Sequence, residues 1–319
     1  MPAPSIHHDP ADGRVVVLGS LNVDIVARVR RHPAPGETVL GRGGDIRPGG
    51  KGANQAVAAA LSGATVLMIG AVGQDAHAEV ALSGLLRTGC DVSGVRSVAG
   101  PTGMALIAVS DDGENSIIVV PGANAAVSQV ELSRLAGLRP DDVLVLQGEV
   151  PADAIAGAVA AAEAAGCRVV LNLAPVLALA PDVLLAADPL VVNEHEALGA
   201  LLALGSPLPG PTPVDQVADA TLVAKALLAA GVGSVVVTLG GAGALVGASA
   251  ASLTHVPAET VRPVDTTGAG DGFTGALAAC LARGIPMAAA AQTASHFAAQ
   301  AVCRAGAQEA YPGWEATGS

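Results

Sequence analysis

Residues 143–173 read VLVLQGEVPADAIAGAVAAAEAAGCRVVLNL, and this stretch decides the fold class. The apolar run 143–146 predicts a strand, the Ala-rich stretch 151–165 a helix, and 169–173 a second strand. Continuous apolar strands separated by helices are typical of a mostly parallel sheet covered by helices on both faces. The same alternation continues on both sides, with strands predicted at 15–18, 66–69, 190–192, 235–239 and 244–246 and helices near 54–61, 78–88, 217–230 and 273–281. The sequence therefore predicts an α/β protein.

Two segments, 37–48 and 102–121, interrupt this alternation. In the second, apolar stretches flank the turn-rich residues 111–115, a pattern suited to a β-hairpin. Neither segment has a helix to cover a second face. We therefore expect a small β-sheet, a lid or a dimer surface, within one α/β domain at 14–319. Residues 1–13 are expected to be a disordered tail, and the Pro/Gly-dense residues 205–213 a surface loop.

The composition excludes several classes of partner. The chain of 319 residues is 51% hydrophobic and carries a formal net charge of −12, with only four aromatic residues. Nucleic acid and anionic membranes are poor partners for such a surface. The uncharged runs near 226–254 and 284–303 are broken by glycine, proline or polar residues, which argues against membrane spans. The start has no secretory signal pattern. We expect a soluble cytoplasmic protein whose four cysteines are free, buried thiols.

The strongest local motif is Asp-Thr-Thr-Gly-Ala-Gly-Asp-Gly-Phe at residues 265–273, before an Ala-rich helical stretch. Small residues at a helix start let backbone N–H groups converge on an anion. A carboxylate at Asp271 is unfavourable there unless it has a task, such as deprotonating a hydroxyl that attacks a phosphoryl group. The alternative is that Asp271 is an ordinary helix N-cap. The segment also fits Gly-x-Gly-x-x-Gly, but it lacks the following strand and acidic residue of a dinucleotide site.

Other polar groups follow predicted strands. Asn22 and Asp24 come after the first strand, where open α/β sheets bind ligands, and they could hold vicinal hydroxyls or simply form a turn. A second Gly-rich turn, residues 49–54, adds Lys51 and Asn54 as donors, although it also reads as a tight turn with a solvated lysine. Gln147, Glu149, Asn193 and Glu196 also follow apolar strands. Polar groups at the same end of several strands favour one shared site.

Together these motifs resemble the ribokinase branch of the ribokinase/phosphofructokinase-B carbohydrate kinase family. Residues 19–24, 49–58 and 265–271 match the family's opening motif and its two signatures, and 102–103, 121–124 and 306–308 point to the ribokinase branch. The resemblance implies a large α/β domain with a lid that closes on a sugar. It also implies transfer of the γ-phosphoryl of ATP to O5 of D-ribose, with Mg²⁺ and a monovalent cation, usually K⁺. A homodimer through the lid would suit this arrangement.

The resemblance also implies roles for individual residues. The catalytic base is Asp271, and the anion hole is formed by Gly268, Ala269 and Gly270. The sugar positions are Asn22, Asp24, Gly50, Lys51, Gly52, Asn54 and Glu149. The nucleotide and phosphate positions are Asn193, Thr238, Gly240, Gly241, Gly243, Gly270 and Ser295. Glu196 is the Mg²⁺ position, and the monovalent-cation loop comprises Asp265, Thr267, Ala301, Arg304, Gly306 and Ala310.

Two positions depart from the family pattern. Ala310 stands where a hydroxyl residue is common, and Ser295 where asparagine or histidine is frequent. Two other functions remain open at this point: a kinase for another sugar or a nucleoside, and a non-catalytic sugar-binding regulator on the same fold. The scarcity of aromatic residues favours a bare sugar over a nucleoside, and the intact Asp271 motif favours a catalyst.

Overall fold

The computed structural model describes residues 13–207 and 217–314, which form two β-sheets and nine α-helices. The large sheet contains β1 (Val15–Leu18), β4 (Val66–Val72), β5 (Asp91–Ser97), β8 (Val143–Gln147), β9 (Arg168–Asn172), β10 (Leu190–Asn193), β11 (Val235–Thr238), β12 (Ala244–Gly247) and β13 (Thr254–Val256). Its strand order is β13-β12-β11-β10-β9-β8-β1-β4-β5. In this spatial order, the seven neighbouring strands from β11 to β5 are all parallel. Strands β12 and β13 add an antiparallel edge next to β11.

Helices cover both faces of this sheet. They are α1 (Lys51–Leu61), α2 (His77–Arg87), α3 (Gln129–Leu132), α4 (Ala152–Ala165), α5 (Pro181–Leu185), α6 (Glu194–Ala203), α7 (Val217–Ala229), α8 (Ala269–Ala282) and α9 (Met287–Ala301). In β1, Val15 and Val17 belong to the apolar cluster that includes α1, α2, α8 and α9, while Val16 and Leu18 belong to the cluster that includes α4 to α7. Burying each such side chain contributes about 1.5–3 kcal/mol. The fold-class prediction is confirmed.

The small sheet is the predicted lid. It contains β2 (Asn22–Val29), β3 (Gly41–Gly49), β6 (Gly103–Ser110) and β7 (Asn115–Val120), in the order β3-β2-β6-β7. Strand β3 begins at Gly41 rather than near Glu37, because the Glu37 carboxylate is held in the preceding turn by Arg31 and by the Ala34 amide.

Strand β2 is a lid strand that the sequence analysis missed. Asn22 and Asp24 follow β1 closely, as predicted, but they do not form a turn there, which was one of the two interpretations. They are instead the first and third residues of β2. The four middle residues of β2, 24–27, are half-buried on both faces, so the strand lacks the clean apolar alternation that would have marked it. The prediction also missed β5, β13, α5, α6 and α9.

Two helices begin earlier than predicted. Helix α1 begins at Lys51 rather than 54, and α8 at Ala269 rather than 273. Each follows a glycine with positive φ, Gly50 at 90° and Gly268 at 72°, a conformation that other residues rarely adopt. The chain therefore turns directly from a loop into a helix at both points, and this places backbone N–H groups at the site described below.

The prediction that all four cysteines are buried is wrong for one of them. Cys90, Cys167 and Cys280 are buried free thiols, as expected, but Cys303 is free and exposed, because it lies just beyond the end of α9. Among the described residues, no helix combines the length and apolarity needed to cross a membrane. The predicted tail, apart from Gly13, and most of the predicted loop 205–213 lie outside the described residues.

Candidate active site

Polar residues that end strands of the large sheet define one edge of the molecule. Gln147, Asn172 and Asn193 are the last residues of β8, β9 and β10. The N-termini of α1 and α8 lie at the same edge, since α1 side chains bond to Gln147, Asn172 and Asp271. This is the end of a parallel sheet at which α/β proteins bind ligands.

Asp271 lies in the first turn of α8, and amide groups hold its carboxylate. Asn54 Nδ2 donates to Oδ2 at 3.0 Å, and Gln55 Nε2 donates to Oδ1 at 3.0 Å. The N-cap of α8 is Gly268, so the interpretation of Asp271 as the N-cap is wrong. A carboxylate offers about four acceptor positions, so two donors leave room for a substrate hydroxyl.

The glycine turn before α8 presents backbone amides beside this carboxylate. Tyr311, fully buried, donates its hydroxyl to Gly268 O at 2.8 Å and fixes the turn from behind. The Ala269 amide donates to Thr266 O at 3.2 Å, so an incoming anion must compete with this long bond for it. Thr274 anchors Gly270 by donating to its carbonyl at 2.8 Å. These bonds orient the helix N-terminus, which favours an anion.

Asn22 and Asp24 lie where β2 meets the body of the protein. Asn22 is buried, and its Oδ1 accepts from Asn124 Nδ2 at 2.7 Å, so its own amide donors are oriented by this bond. A Cβ on Gly49 would lie 2.2 Å from Asp24 Oδ1, and a Cβ on Gly103 would lie 2.3 Å from Asn22 Oδ1. These two glycines leave the space that both polar side chains occupy.

The Asp24 carboxyl has an unusual protonation equilibrium. Burial, followed by the charges of Glu149, Asp271 and Glu309, raises its pKa from 3.8 to about 7, and Arg47 opposes the shift only partly. The folded protein therefore holds Asp24 as a costly anion above pH 7. A buried carboxylate that gains hydroxyl donors recovers part of that cost.

Lys51 and Glu149 complete the set of groups around α1. Glu149 Oε2 accepts from Ser20 Oγ at 2.6 Å and from the Lys51 amide at 3.0 Å. The nearby charge of Asp271, and then those of Glu149 and Glu196, raises the pKa of Lys51 despite its burial. The Lys51 ammonium is thus a permanent positive charge near three carboxylates.

Two cavities adjoin at the glycine turn. One, of about 670 Å³, lies between the lid and the body and is lined by Asp24, Arg47, Asp265 and Glu309 among others. The second, of about 400 Å³, is lined by Thr238, Gly240, Gly241, Gly243, Gly270 and Ser295 and by the apolar side chains of Val261, Phe273 and Val302. Thr266 lines both cavities. The two cavities are therefore neighbours at Thr266, next to the glycine turn.

Asn193 and Glu196 make a capping box at the start of α6. Asn193 Oδ1 accepts from the Glu196 amide at 2.8 Å, and Glu196 Oε2 accepts from the Asn193 amide at 2.8 Å. Burial raises the pKa of Glu196, with Asn193 and Lys51 opposing the shift. Both residues thus have a structural task in addition to any ligand role.

The predicted cation loop is held together by Asp265. Its Oδ1 accepts from the Thr267 amide and its Oδ2 from the Gly306 amide, both at 2.9 Å. These bonds outweigh burial and lower the pKa of Asp265. Ala301 and Ala310 are buried, and Arg304 is exposed. Among the described residues, no three His, Cys, Asp or Glu side chains form a metal cage.

Sequence reasoning did not assign the amide groups behind Asp271. Gln147 Nε2 donates to Gln55 Oε1 at 2.8 Å, Gln55 Nε2 also reaches Asn172 Oδ1 at 3.0 Å, and Gln308 Nε2 donates to Asn54 Oδ1 at 2.9 Å. Asn172 could have been found by the rule that selected Gln147 and Asn193, because it too is a polar residue ending an apolar strand.

Comparison with known proteins decides the family. The pfkB family carbohydrate kinase model matches residues 12–314. The chain belongs to the pfkB family of carbohydrate kinases. Its resemblance to the ribokinase branch is confirmed, and it is a sugar kinase, a phosphotransferase.

Relatives of this pfkB kinase carry two related names. A ribokinase from Schizosaccharomyces pombe is 36% identical over 307 residues, 93% of this chain and 94% of the relative. A deoxyribokinase from Salmonella typhi is 35% identical over 303 residues, 94% of this chain and 96% of the relative. The structure of Arabidopsis thaliana ribokinase complexed with ribose and ATP superposes with a TM-score of 0.83 at 29% identity, covering 96% of this chain and 97% of that one.

Proposed function

We propose that this pfkB kinase transfers the γ-phosphoryl group of ATP to the O5 hydroxyl of D-ribose. The observation that carries the proposal is the Asp271 carboxylate, which Asn54 and Gln55 hold beside the N-terminus of α8. A fixed acceptor for a proton next to a set of amides suits a hydroxyl that attacks a phosphoryl group. The Arabidopsis thaliana neighbour, bound to ribose and ATP, supports both ligands.

The lid cavity is the proposed sugar site. Asp24 accepts hydrogen bonds from sugar hydroxyls, and the oriented amide of Asn22 donates to one. The proposed site extends from this cavity, which Asp24 lines, to the start of α1. There the sugar would meet Lys51, Asn54 and Glu149 and the backbone of Gly50 and Gly52. A Cβ on Gly52 would lie 2.6 Å from the Ser20 amide, which explains why the α1 start can pack so closely there.

The second cavity is the proposed ATP site. Its apolar walls accept the base, and the turn around Gly240 and Gly241 approaches the nucleotide with backbone alone. The buried Ser295 and Thr238, the last residue of β11, both line it. Asn193 and the α8 amides then face the phosphates. In this orientation the γ-phosphoryl group points towards Thr266, where the ATP cavity adjoins the sugar cavity.

In the reaction, Asp271 accepts the proton of the O5 hydroxyl while the O5–P bond forms and the bond from the γ-phosphorus to the β,γ-bridging oxygen breaks. ADP leaves with the electron pair of that bond. The amides of Gly268, Ala269 and Gly270 stabilise the charge on the transferring group, an effect worth about 2.7–4 kcal/mol per donor elsewhere. Positioning of the two substrates contributes about 7–11 kcal/mol, which exceeds what a single general base usually adds. A closed lid keeps water from competing with the sugar.

Two cations fit residues of this site. Mg²⁺ usually binds one or two carboxylates together with substrate phosphates, and Glu196, whose capping box uses Oε2, offers Oε1. Bound Mg²⁺ would neutralise phosphate charge. A monovalent cation such as K⁺ fits the loop of Asp265, Thr267, Ala301, Arg304, Gly306 and Ala310, where Asp265 supplies negative charge and the backbone supplies carbonyls. Ala310 offers no hydroxyl, so this site has one ligand fewer.

The proposed assembly is a homodimer through the lid, working in the cytoplasm. All six residues of β7 are exposed, among them Ile117, Ile118 and Val119. An exposed apolar edge strand favours pairing with a second chain. The free cysteines suit a reducing compartment. Sedimentation at micromolar protein should give twice the chain mass of 30.9 kDa.

An acceptor panel tests the proposed substrate. ADP release is measured with ribose, 2-deoxyribose, fructose and adenosine at equal concentrations, with the Asp271→Asn variant as the blank. The account predicts the highest kcat/KM for ribose. Preference for 2-deoxyribose would assign the chain to the activity named in its deoxyribokinase relatives, and binding of ribose without ADP release would favour a regulator.

A further inference from the structure

Two charged residues outside the described catalytic set face each other across the cleft between lid and body. Arg47 lies on lid strand β3, directly opposite Asp24 in the β2–β3 register. Glu309 lies in the 3₁₀ turn Gln308–Ala310 of the body. Both line the cavity of about 670 Å³.

The distance between these charges can be bounded from their distances to Gly306. The position that a Cβ on Gly306 would occupy lies 3.0 Å from Arg47 Nη1 and 3.2 Å from Glu309 Oε2. The two charged atoms are therefore no more than about 6 Å apart, and both border the space beside the Gly306 Cα. Any larger residue at position 306 would fill this space, and its φ of 103° also favours glycine.

The two residues are not paired with each other in this structure. Arg47 Nη2 donates to Asp45 Oδ2 at 3.0 Å, an ion pair within β3 in which both side chains are partly exposed. Glu309 Oε2 is buried without a hydrogen-bond partner among the described residues. A buried carboxylate oxygen without a donor costs free energy that a nearby guanidinium can recover.

We propose that Arg47 and Glu309 form an ion pair when the lid closes on the sugar, and that this latch links lid closure to the catalytic base. The proposal rests on the proposed sugar kinase activity. Arg47 exchanges the exposed Asp45 for Glu309 as the lid approaches the body.

The position of Glu309 gives this latch a route to the chemistry. Its neighbour Gln308 donates to Asn54 Oδ1 at 2.9 Å, and Asn54 donates to Asp271 Oδ2 at 3.0 Å. Gly306, between the two charges, donates its amide to Asp265 at 2.9 Å, next to the glycine turn. Arg47 and Glu309 are therefore positioning residues, which act through Asn54 and the turn rather than on the substrate.

A double-mutant cycle tests the latch. The variants are Arg47→Met and Glu309→Gln, which remove charge and keep length, their combination, and Arg47→Lys. The control is Arg30→Met, an exposed arginine just beyond lid strand β2 that does not line the cavity. Each variant is assayed for kcat and KM with ribose and ATP, and for the Tm of the unliganded protein.

We expect each single variant to lower kcat/KM for the sugar by about 5- to 20-fold. The double variant should have a kcat/KM no lower than that of the less active single variant. Arg47→Lys should recover part of the loss. KM for ATP and the activity of Arg30→Met should stay close to those of the wild type. The Tm of each unliganded variant should not fall, because the pair forms only with sugar bound.

Three outcomes would overturn the latch: losses that multiply in the double variant, a lowered Tm of the unliganded single variants, or equal losses in Arg30→Met. The wild-type assay separates these from failure of the proposed function. If the wild type phosphorylates a different acceptor, the cycle is run on that acceptor. If the wild type turns over no sugar, both the function and the latch that rests on it are contradicted.

Discussion

Asp271 is the residue on which the proposed chemistry depends most. Replacement by asparagine keeps the shape and the first-turn position but removes the proton acceptor. We expect Asp271→Asn to lower kcat by about 10²- to 10⁴-fold while ribose and ATP still bind. Steady-state kinetics and calorimetric binding measure the two effects separately.

The matched control is Asp153→Asn, which also lies in the first turn of a helix, α4, away from the site. It should reproduce any change due to the helix dipole, about 0.3–1 kcal/mol in stability, without loss of turnover. Near-normal kcat in Asp271→Asn would show that Asp271 is not the base.

The Asp24 carboxylate lowers the stability of the folded protein but is proposed to bind the sugar. Because its pKa is raised to about 7 in the folded protein, folding is opposed as pH rises from about 4 to 7, and the full cost applies above pH 7. Asp24→Asn removes a cost of at most about 4 kcal/mol, reduced by the partial exposure of the side chain. We expect a higher Tm than wild type at pH 8 and little difference at pH 4.

The same substitution should impair the use of ribose, since an amide cannot replace an anion that accepts two hydroxyls. The wild-type KM for ribose should fall as pH rises through 7, while that of Asp24→Asn stays flat. A variant that gains no Tm at pH 8, or that keeps the wild-type kcat/KM, would contradict this account of Asp24.

At the scale of elements, the end of β3 leaves room for Asp24. An alanine Cβ at Gly49 would lie 2.2 Å from Asp24 Oδ1, so the carboxylate must move. We expect Gly49→Ala to raise the KM for ribose at least tenfold and to leave the KM for ATP nearly unchanged. Gly137→Ala, where a Cβ meets open space, is the control. Equal KM values for ribose in the two variants would show that Asp24 does not bind the sugar from this position.

The loop formed by residues 264–267 and 304–306 is the second element with a testable role. Asp265 joins its two halves through the amides of Thr267 and Gly306. A bound cation would fix the carbonyls of this loop and so orient the amides of the glycine turn. We expect kcat to rise with K⁺ at constant ionic strength, with Na⁺ as a weaker substitute. Because Ala310 lacks a hydroxyl, half-saturation should need more K⁺ than a fully liganded site.

The same titration with tetramethylammonium is the control for ionic strength. Equal activity in K⁺, Na⁺ and tetramethylammonium would eliminate the cation site. Asp265→Asn should flatten the K⁺ response while the protein remains folded.

For the whole molecule, the features that have a local sequence pattern could be predicted. The features that depend on contacts between distant segments could not. The parallel sheet and the glycine turn before α8 were predictable because apolar strands and small residues at a helix start have local signatures. The lid strand β2 was not, because its half-buried residues are selected by contacts with β3 and β6 rather than by its own pattern.

The support of Asp271 shows the same limit at the site. Gln55 lies 216 residues from Asp271 in the chain, and Gln147 lies 92 residues from Gln55. Each glutamine alone resembles any buried polar residue. Only the fold brings them into one chain of amides, and only the fold places Arg47 opposite Glu309.

The position of the phosphate on the product shows which hydroxyl of the sugar is attacked. Wild-type protein is incubated with ATP, Mg²⁺, K⁺ and D-ribose, and the product is analysed by ³¹P and ¹³C NMR, with 5-deoxyribose as the acceptor that lacks the attacked hydroxyl. The account predicts ribose 5-phosphate in equimolar amount with ADP, and neither product with 5-deoxyribose or with Asp271→Asn. Phosphate at another carbon, or ADP formed equally with 5-deoxyribose, would contradict it.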